Sequence, residues 1–183
     1  TTLSDGKLIT TYVNADCDFR KGVDLTLKIT PTDRVNFSLG SNTYHVSTEG
    51  IYEGADIDND GWTNNSTFML DIMPWRTTDI QLQYYLTTPQ YYPQLTTSFS
   101  HQMNFGLKQR LYNDALALSL LVTDVWNTAR WKISSRNKVF DLTNVSRNKS
   151  RMLWVGVSYN FNSYKQKGAS KSETDKNLIK FGL

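Results

Sequence analysis

Met152-Leu153-Trp154-Val155-Gly156-Val157-Ser158-Tyr159-Asn160-Phe161 decides the fold of this chain, because it alternates between apolar and small or polar side chains. A period of two puts Leu153, Val155, Val157, Tyr159 and Phe161 on one face of a β-strand and Gly156, Ser158 and Asn160 on the other. The same rhythm recurs upstream. Leu116, Leu118, Leu120 and Val122 are in phase, and Phe99, Met103, Phe105 and Leu107 oppose Ser98, Ser100, Gln102, Asn104 and Lys108. Ile80, Leu82, Tyr84 and Leu86 alternate with Gln81, Gln83, Tyr85 and Thr87, and Phe68, Leu70 and Ile72 with Met69, Asp71 and Met73. Val35, Phe37 and Leu39 oppose Asn36, Ser38 and Gly40; Val23, Leu25, Leu27 and Ile29 oppose Asp24, Thr26 and Lys28. Each of about seven expected strands has one greasy and one polar face.

The connections alternate as well. Thr30-Pro31-Thr32-Asp33, Trp75-Arg76-Thr77-Thr78-Asp79 and Arg110-Leu111-Tyr112-Asn113-Asp114 read as short turns, whereas residues 47–66, 87–96 and 125–149 read as long polar connections. Short turns at one end and long loops at the other describe an outer-membrane barrel, whose turns face the periplasm and whose loops face outward. The fold class expected is therefore all-β, an antiparallel up-and-down meander forming part of a transmembrane β-barrel. The same pattern also fits a soluble sandwich or lipocalin-like barrel with its apolar face turned inward. Against that, the polar faces carry Gln, Asn, Ser and Thr rather than the Lys and Glu usual on strands facing water.

Composition narrows the function. Hydrophobic residues at 39 % and charged residues at 20 % exclude disorder for most of the 183 residues. Aromatics reach 13 % and gather at strand ends. The net charge of +3 owes much to Lys165, Lys167, Lys171, Lys176 and Lys180, so the body is near neutral and a nucleic-acid partner is not expected. One cysteine, Cys17, permits no internal disulfide. No run reaches the roughly 18 apolar residues of a membrane helix, as a β-barrel would also show. Thr1-Thr2-Leu3-Ser4-Asp5-Gly6 has no leader pattern, so any export signal is expected to lie upstream or to have been removed.

Phe19-Arg20-Lys21-Gly22-Val23-Asp24-Leu25, following Tyr12-Val13-Asn14, resembles the "N, then G-V-E-L" strand of TonB-dependent receptors, with Thr30-Pro31-Thr32-Asp33 as its periplasmic turn. Tyr84-Tyr85-Leu86-Thr87-Thr88-Pro89-Gln90-Tyr91-Tyr92-Pro93-Gln94 is similar to the "Y, P, then P-Q" element of the Bacteroidetes-type outer-membrane β-barrel branch. Ser119-Leu120-Leu121-Val122-Thr123-Asp124-Val125-Trp126-Asn127-Thr128 resembles that branch's penultimate strand, which runs into "D, hydrophobic, F or W, N". The resemblance implies the carboxy-terminal portion of a receptor barrel of about 22 strands. It also implies energised uptake of an unidentified ligand in the bacterial outer membrane. Its partners would be outer-membrane lipid, the remainder of the barrel and its plug, the TonB energising complex and a surface lipoprotein. On this reading 1–164 are barrel strands and 165–183 a flexible, basic periplasmic tail.

The two faces give the candidate site. Leu25, Phe37, Leu70, Leu82, Phe105, Leu118 and Val155 are expected toward lipid, and Asp24, Lys28, Asn36, Gln83, Gln102, Asn104, Ser119 and Asn160 toward the lumen. Asp56-Ile57-Asp58-Asn59-Asp60-Gly61 has the D-x-D-x-D-G spacing that converges carboxylates on calcium, but Thr67 stands where the closing bidentate Glu belongs. A solvated acidic loop tip is the alternative. Trp62, Tyr84-Tyr85 and Tyr91-Tyr92 offer flat faces for a sugar or siderophore, or form an interfacial girdle with Trp75, Trp126, Tyr159 and Phe161. His45 and His101 lack partners at metal spacing, and no nucleophile elbow, phosphate loop or paired carboxylates point to catalysis, so no enzyme is expected. The competing function is a soluble secreted β-domain that binds carbohydrate through its aromatics.

Overall fold

A computed structural model describes residues 2–4, 7–9, 17–52, 55–56, 58–136, 141–147 and 149–161. Seven strands form one antiparallel sheet: β1 (Cys17–Thr32), β2 (Val35–Glu49), β3 (Asn59–Trp75), β4 (Thr78–Thr87), β5 (Ser100–Leu111), β6 (Leu116–Thr123) and β7 (Met152–Tyr159). Each pairs with its neighbours in sequence, which is the meander expected from the alternating pattern. The expected tail, 165–183, and the Tyr12-Val13-Asn14 element lie outside the described residues.

Tight connections close one end. Asp33-Arg34 joins β1 to β2 and Arg76-Thr77 joins β3 to β4. The β5–β6 turn carries Tyr112, Asn113 and Asp114 at φ of 51°, 56° and 69°, a left-handed run that Asn and Asp tolerate better than most residues. Register slips between Ile29 and Thr32 and again between Ile72 and Trp75. Pro31 and Pro74 fall inside these two irregular stretches, where a residue without an N–H costs no ladder bond.

The register aligns the two faces across all seven strands. Ile29, Phe37, Leu70, Leu82, Phe105, Val122 and Leu153 are successive cross-strand partners, so one row of the sheet is apolar from edge to edge. The apolar face is open. On interior strands Phe68 is 38 % exposed and Leu118 40 %, and among the described residues the only buried hydrophobic side chain is Val46, on the polar face. A soluble sandwich would bury that face between sheets, so the soluble β-domain reading is corrected here: the apolar surface is turned outward, and lipid is the medium that covers it.

Two strands run further than the sequence pattern predicts. Residues 41–49 extend β2 and 59–66 extend β3, which shortens the expected 47–66 loop to 50–58. The outward face changes chemistry there from Phe68 and Leu39 to Ser41, Thr43, Asn64 and Ser66. These four form their own hydrogen-bonded patch: Asn64 Nδ2 donates to Ser41 Oγ and Thr43 Oγ1, and Ser66 Oγ donates to Asn64 Oδ1. Loss of apolar alternation marks the upper membrane boundary and not the end of the strand. On β5 the outward residues from His101 to Leu111 span about 26 Å at usual strand rise and barrel tilt, which matches the roughly 25 Å apolar band of such walls.

Candidate functional site

The polar face of the sheet is built as a set of side-chain ladders. Asp24, Lys28 and Asn36 occupy it on β1 and β2, Gln83 on β4, Gln102 and Asn104 on β5, and Ser119 on β6, with Asn160 just past β7. The seven residues expected toward lipid share the opposite face. Neighbours on the polar face satisfy one another. Asn42 donates to Asp24, Gln81 Nε2 donates to Asp71 Oδ1 at 2.6 Å, Tyr85 Oη donates to Gln83 Oε1 at 3.2 Å, and Gln102 Nε2 donates to Asn104 Oδ1 at 2.9 Å. At the turn end Arg110 donates to the Arg76 carbonyl at 2.7 Å and lies 3.4 Å from Asp79.

Two long loops fold across this face. Pro89 and Gln90 make the first attachment: Thr63 Oγ1 donates to the Pro89 carbonyl at 2.9 Å, Tyr44 Oη donates to Gln90 Oε1 at 3.2 Å, and Gln90 Nε2 donates to Asn65 Oδ1 at 3.3 Å. Tyr44, Thr63 and Asn65 all belong to the polar face, so the loop lies on the lumenal side of the wall. At Gly61 the loop lies directly against the wall, because a Cβ there would collide with the Tyr91 ring. Strand pairs Tyr91–Tyr92 and Leu95–Thr97 then accept the hairpin of Trp131–Arg136 and Asp141–Ser146, giving a four-stranded sheet over the lumen. The 87–96 and 125–149 connections are therefore structured, and they are joined through Thr97 and Ile133.

Asp124 anchors the second loop. It is fully buried, at 0 % exposure, with φ at 46°. Its carboxylate accepts from Ser150 Oγ, from Thr128 N at 2.8 Å and from Ala129 N at 3.2 Å, while its own N–H donates to Asn104 Oδ1 at 3.1 Å. Burial alone pushes the carboxyl pKa upward. The donated hydrogen bonds outweigh it and hold the group below its ordinary value. Arg151 closes the loop base by donating to the Val125 carbonyl at 2.9 Å.

The aromatic residues divide between the faces. Tyr84 points outward and stacks with His101 and Trp126 at centroid distances of 5.9 Å each, forming the upper girdle. Tyr85 points into the lumen, and Trp62 packs edge-on against His45 outside. Trp75, Tyr159 and Phe161 lie at the turn end. In the acidic motif, Asp58 Oδ1 accepts from Gly50 N at 3.0 Å and Asp60 faces His45 Nε2 at 3.6 Å, whereas the Asp56 side chain lies outside the described residues. Among the described residues no three His, Cys, Asp or Glu gather to hold a metal. Sequence reasoning missed Tyr44, Thr63, Asn65 and the buried role of Asp124; Pro89-Gln90 and Asp124 fall within the resembling runs, which carry no sign of their partners.

No curated protein matches this chain, and no solved structure does. The outer membrane protein beta-barrel family matches residues 1–159, a span that contains all seven strands of the wall. With seven antiparallel strands that share one apolar and one amide-rich face, the chain belongs to the outer membrane protein beta-barrel family, and its place is the bacterial outer membrane.

Proposed function

We propose that this chain is the carboxy-terminal portion of a TonB-dependent-receptor-like barrel that takes part in energised uptake of a ligand from outside the cell. The observation that carries the reading is the pair of loops attached to the lumenal face by Gln90 and Asp124. A wall whose outer loops are fastened inward, with amide ladders below them, is built to hold a solute above a filled lumen rather than to leave a wide aqueous channel. The sequence resemblance at Pro89-Gln90 and at Asp124-Val125-Trp126-Asn127 supports the same reading. A plug, the TonB complex and a surface lipoprotein are the partners this function requires.

An immunoblot of fractionated cells, with an antibody to residues 165–183, tests the assignment. The expected band lies in the outer-membrane fraction and is several times larger than 21.0 kDa. A 21.0 kDa band there means a small barrel without room for a plug and rejects the receptor reading.

A further inference from the structure

The geometry points to a binding cleft for a carboxylated oligosaccharide beneath the second loop, an inference that rests on the uptake reading and names its substrate class. A cleft of about 310 Å³ lies between the lumenal face of β4 and β5 and the base of that loop. Its floor is Tyr85, Thr87 and Gln102, and its roof is Arg130, Trp131 and Ser146.

Three features select the ligand. Trp131 is 45 % exposed and Tyr85 39 %, so each leaves ring surface open to a flat, weakly polar partner such as the C–H face of a pyranose. Thr87, Ser100 and Ser146 bring hydroxyls to the same cleft, and Gln102 brings an amide. Groups that donate and accept in equal measure suit a polyhydroxylated ligand, whereas an aromatic acid would use few of them. The third feature is charge. Among the described residues that line the cleft, Arg130 is the one permanent cation, His101 is the one other basic side chain, and none is acidic.

The surrounding loop extends that field. Residues 124–151 hold seven Lys and Arg against two Asp, and one of the two, Asp124, is buried and consumed by its hydrogen bonds. That net positive charge in the loop raises the local concentration of anions near the cleft. The guanidinium of Arg130 offers the planar fork that a carboxylate accepts in two hydrogen bonds. A sugar acid therefore satisfies the ring faces, the hydroxyls and the cation together, and a neutral sugar leaves the cation unused.

Titration calorimetry on the full-length protein in detergent, with tetragalacturonate, maltotetraose and salicylate as probes, tests this. Tetragalacturonate is expected to bind at least about tenfold more tightly than either other probe, and Arg130→Gln to remove that preference while the barrel keeps its heat-modifiable migration. Trp131→Ala is expected to weaken both saccharides. Equal or tighter binding of maltotetraose or salicylate, or an unchanged preference in Arg130→Gln, overturns the assignment. Binding in detergent reads the cleft alone. Accumulation of tetragalacturonate by cells with and without a protonophore reads energised uptake alone, so binding without protonophore-sensitive accumulation rejects the transport reading and leaves the cleft standing.

Discussion

Asp124 shows how much a single side chain settles in this wall. Its carboxylate is withdrawn from water and held ionised by Ser150, Thr128 and Ala129, so the loop that roofs the lumen begins from a fixed point. Asp124→Asn keeps the size and removes the charge. Hydrogen bonds to a charged group contribute about 1.5–3 kcal/mol, and the amide also turns a donor toward Ser150 or Ala129. Trypsin is expected to cut within 125–151 of the variant in intact outer membranes under conditions that leave the parent loop whole; equal protection would show that the loop does not depend on Asp124. The pH dependence has a definite sign. Because the folded pKa lies below the ordinary 3.8, the anchor contributes in full above that value and is lost as pH falls through the folded pKa. Amide exchange in 125–136, corrected for its intrinsic rate, should therefore stay slow from neutral pH down to about pH 4 and accelerate only below it. None of this was readable as periodicity. Asp124 stood out only as part of a resembling run, since Asn104 and Ser150 lie 20 and 26 residues away and no local pattern reports such contacts.

At the scale of the strand, the period of two was legible wherever lipid faces one side, because burial in hydrocarbon imposes the apolar choice at every second position. Leu118 and Ser119 are adjacent on β6 and point to opposite faces. Arginine at Leu118, which pairs with Gln109 in the turn-end half of the apolar band, meets the bilayer between midplane and interface and should cost about 1–2 kcal/mol, whereas arginine at Ser119 enters the polar lumen opposite Lys108 and Gly156 and should cost well under half as much. Urea titration of the folded protein in lipid vesicles measures both; equal losses would contradict the assignment of faces. The upper halves of β2 and β3 escaped the pattern for the same physical reason. Above the band, Ser41, Thr43, Asn64 and Ser66 face a polar medium, so alternation disappears although the ladder continues through Thr48 and Asn59. Tyr84 and Tyr85 illustrate the cost of reading aromatics by position alone: adjacent in sequence, they serve the girdle and the lumen respectively.

For the whole molecule, the decisive fact is the parity of the meander. Seven antiparallel strands leave β1 and β7 running in the same direction, both from the loop end to the turn end. Among the described residues β1 pairs only with β2 and β7 only with β6, which leaves a row of N–H and C=O groups on each edge. Hydrocarbon offers those groups no partner, so an open edge is not stable in a bilayer and the sheet must close. Direct closure would join β1 to β7 as a parallel pair. An antiparallel barrel instead needs an odd number of further strands between them, consistent with the even totals of bacterial barrels. Cysteine pairs placed on the two edges, Leu25→Cys with Val155→Cys and Leu27→Cys with Val157→Cys, both in a Cys17→Ser background, separate the two cases. Oxidation in intact outer membranes is expected to yield no internal disulfide for either pair, because intervening strands at about 4.8 Å spacing hold the edges far beyond the reach of a bridge. Efficient bridging of either pair would mean that the seven strands close on themselves, leaving a lumen too narrow for a plug and a roof of loops with no transport path beneath it.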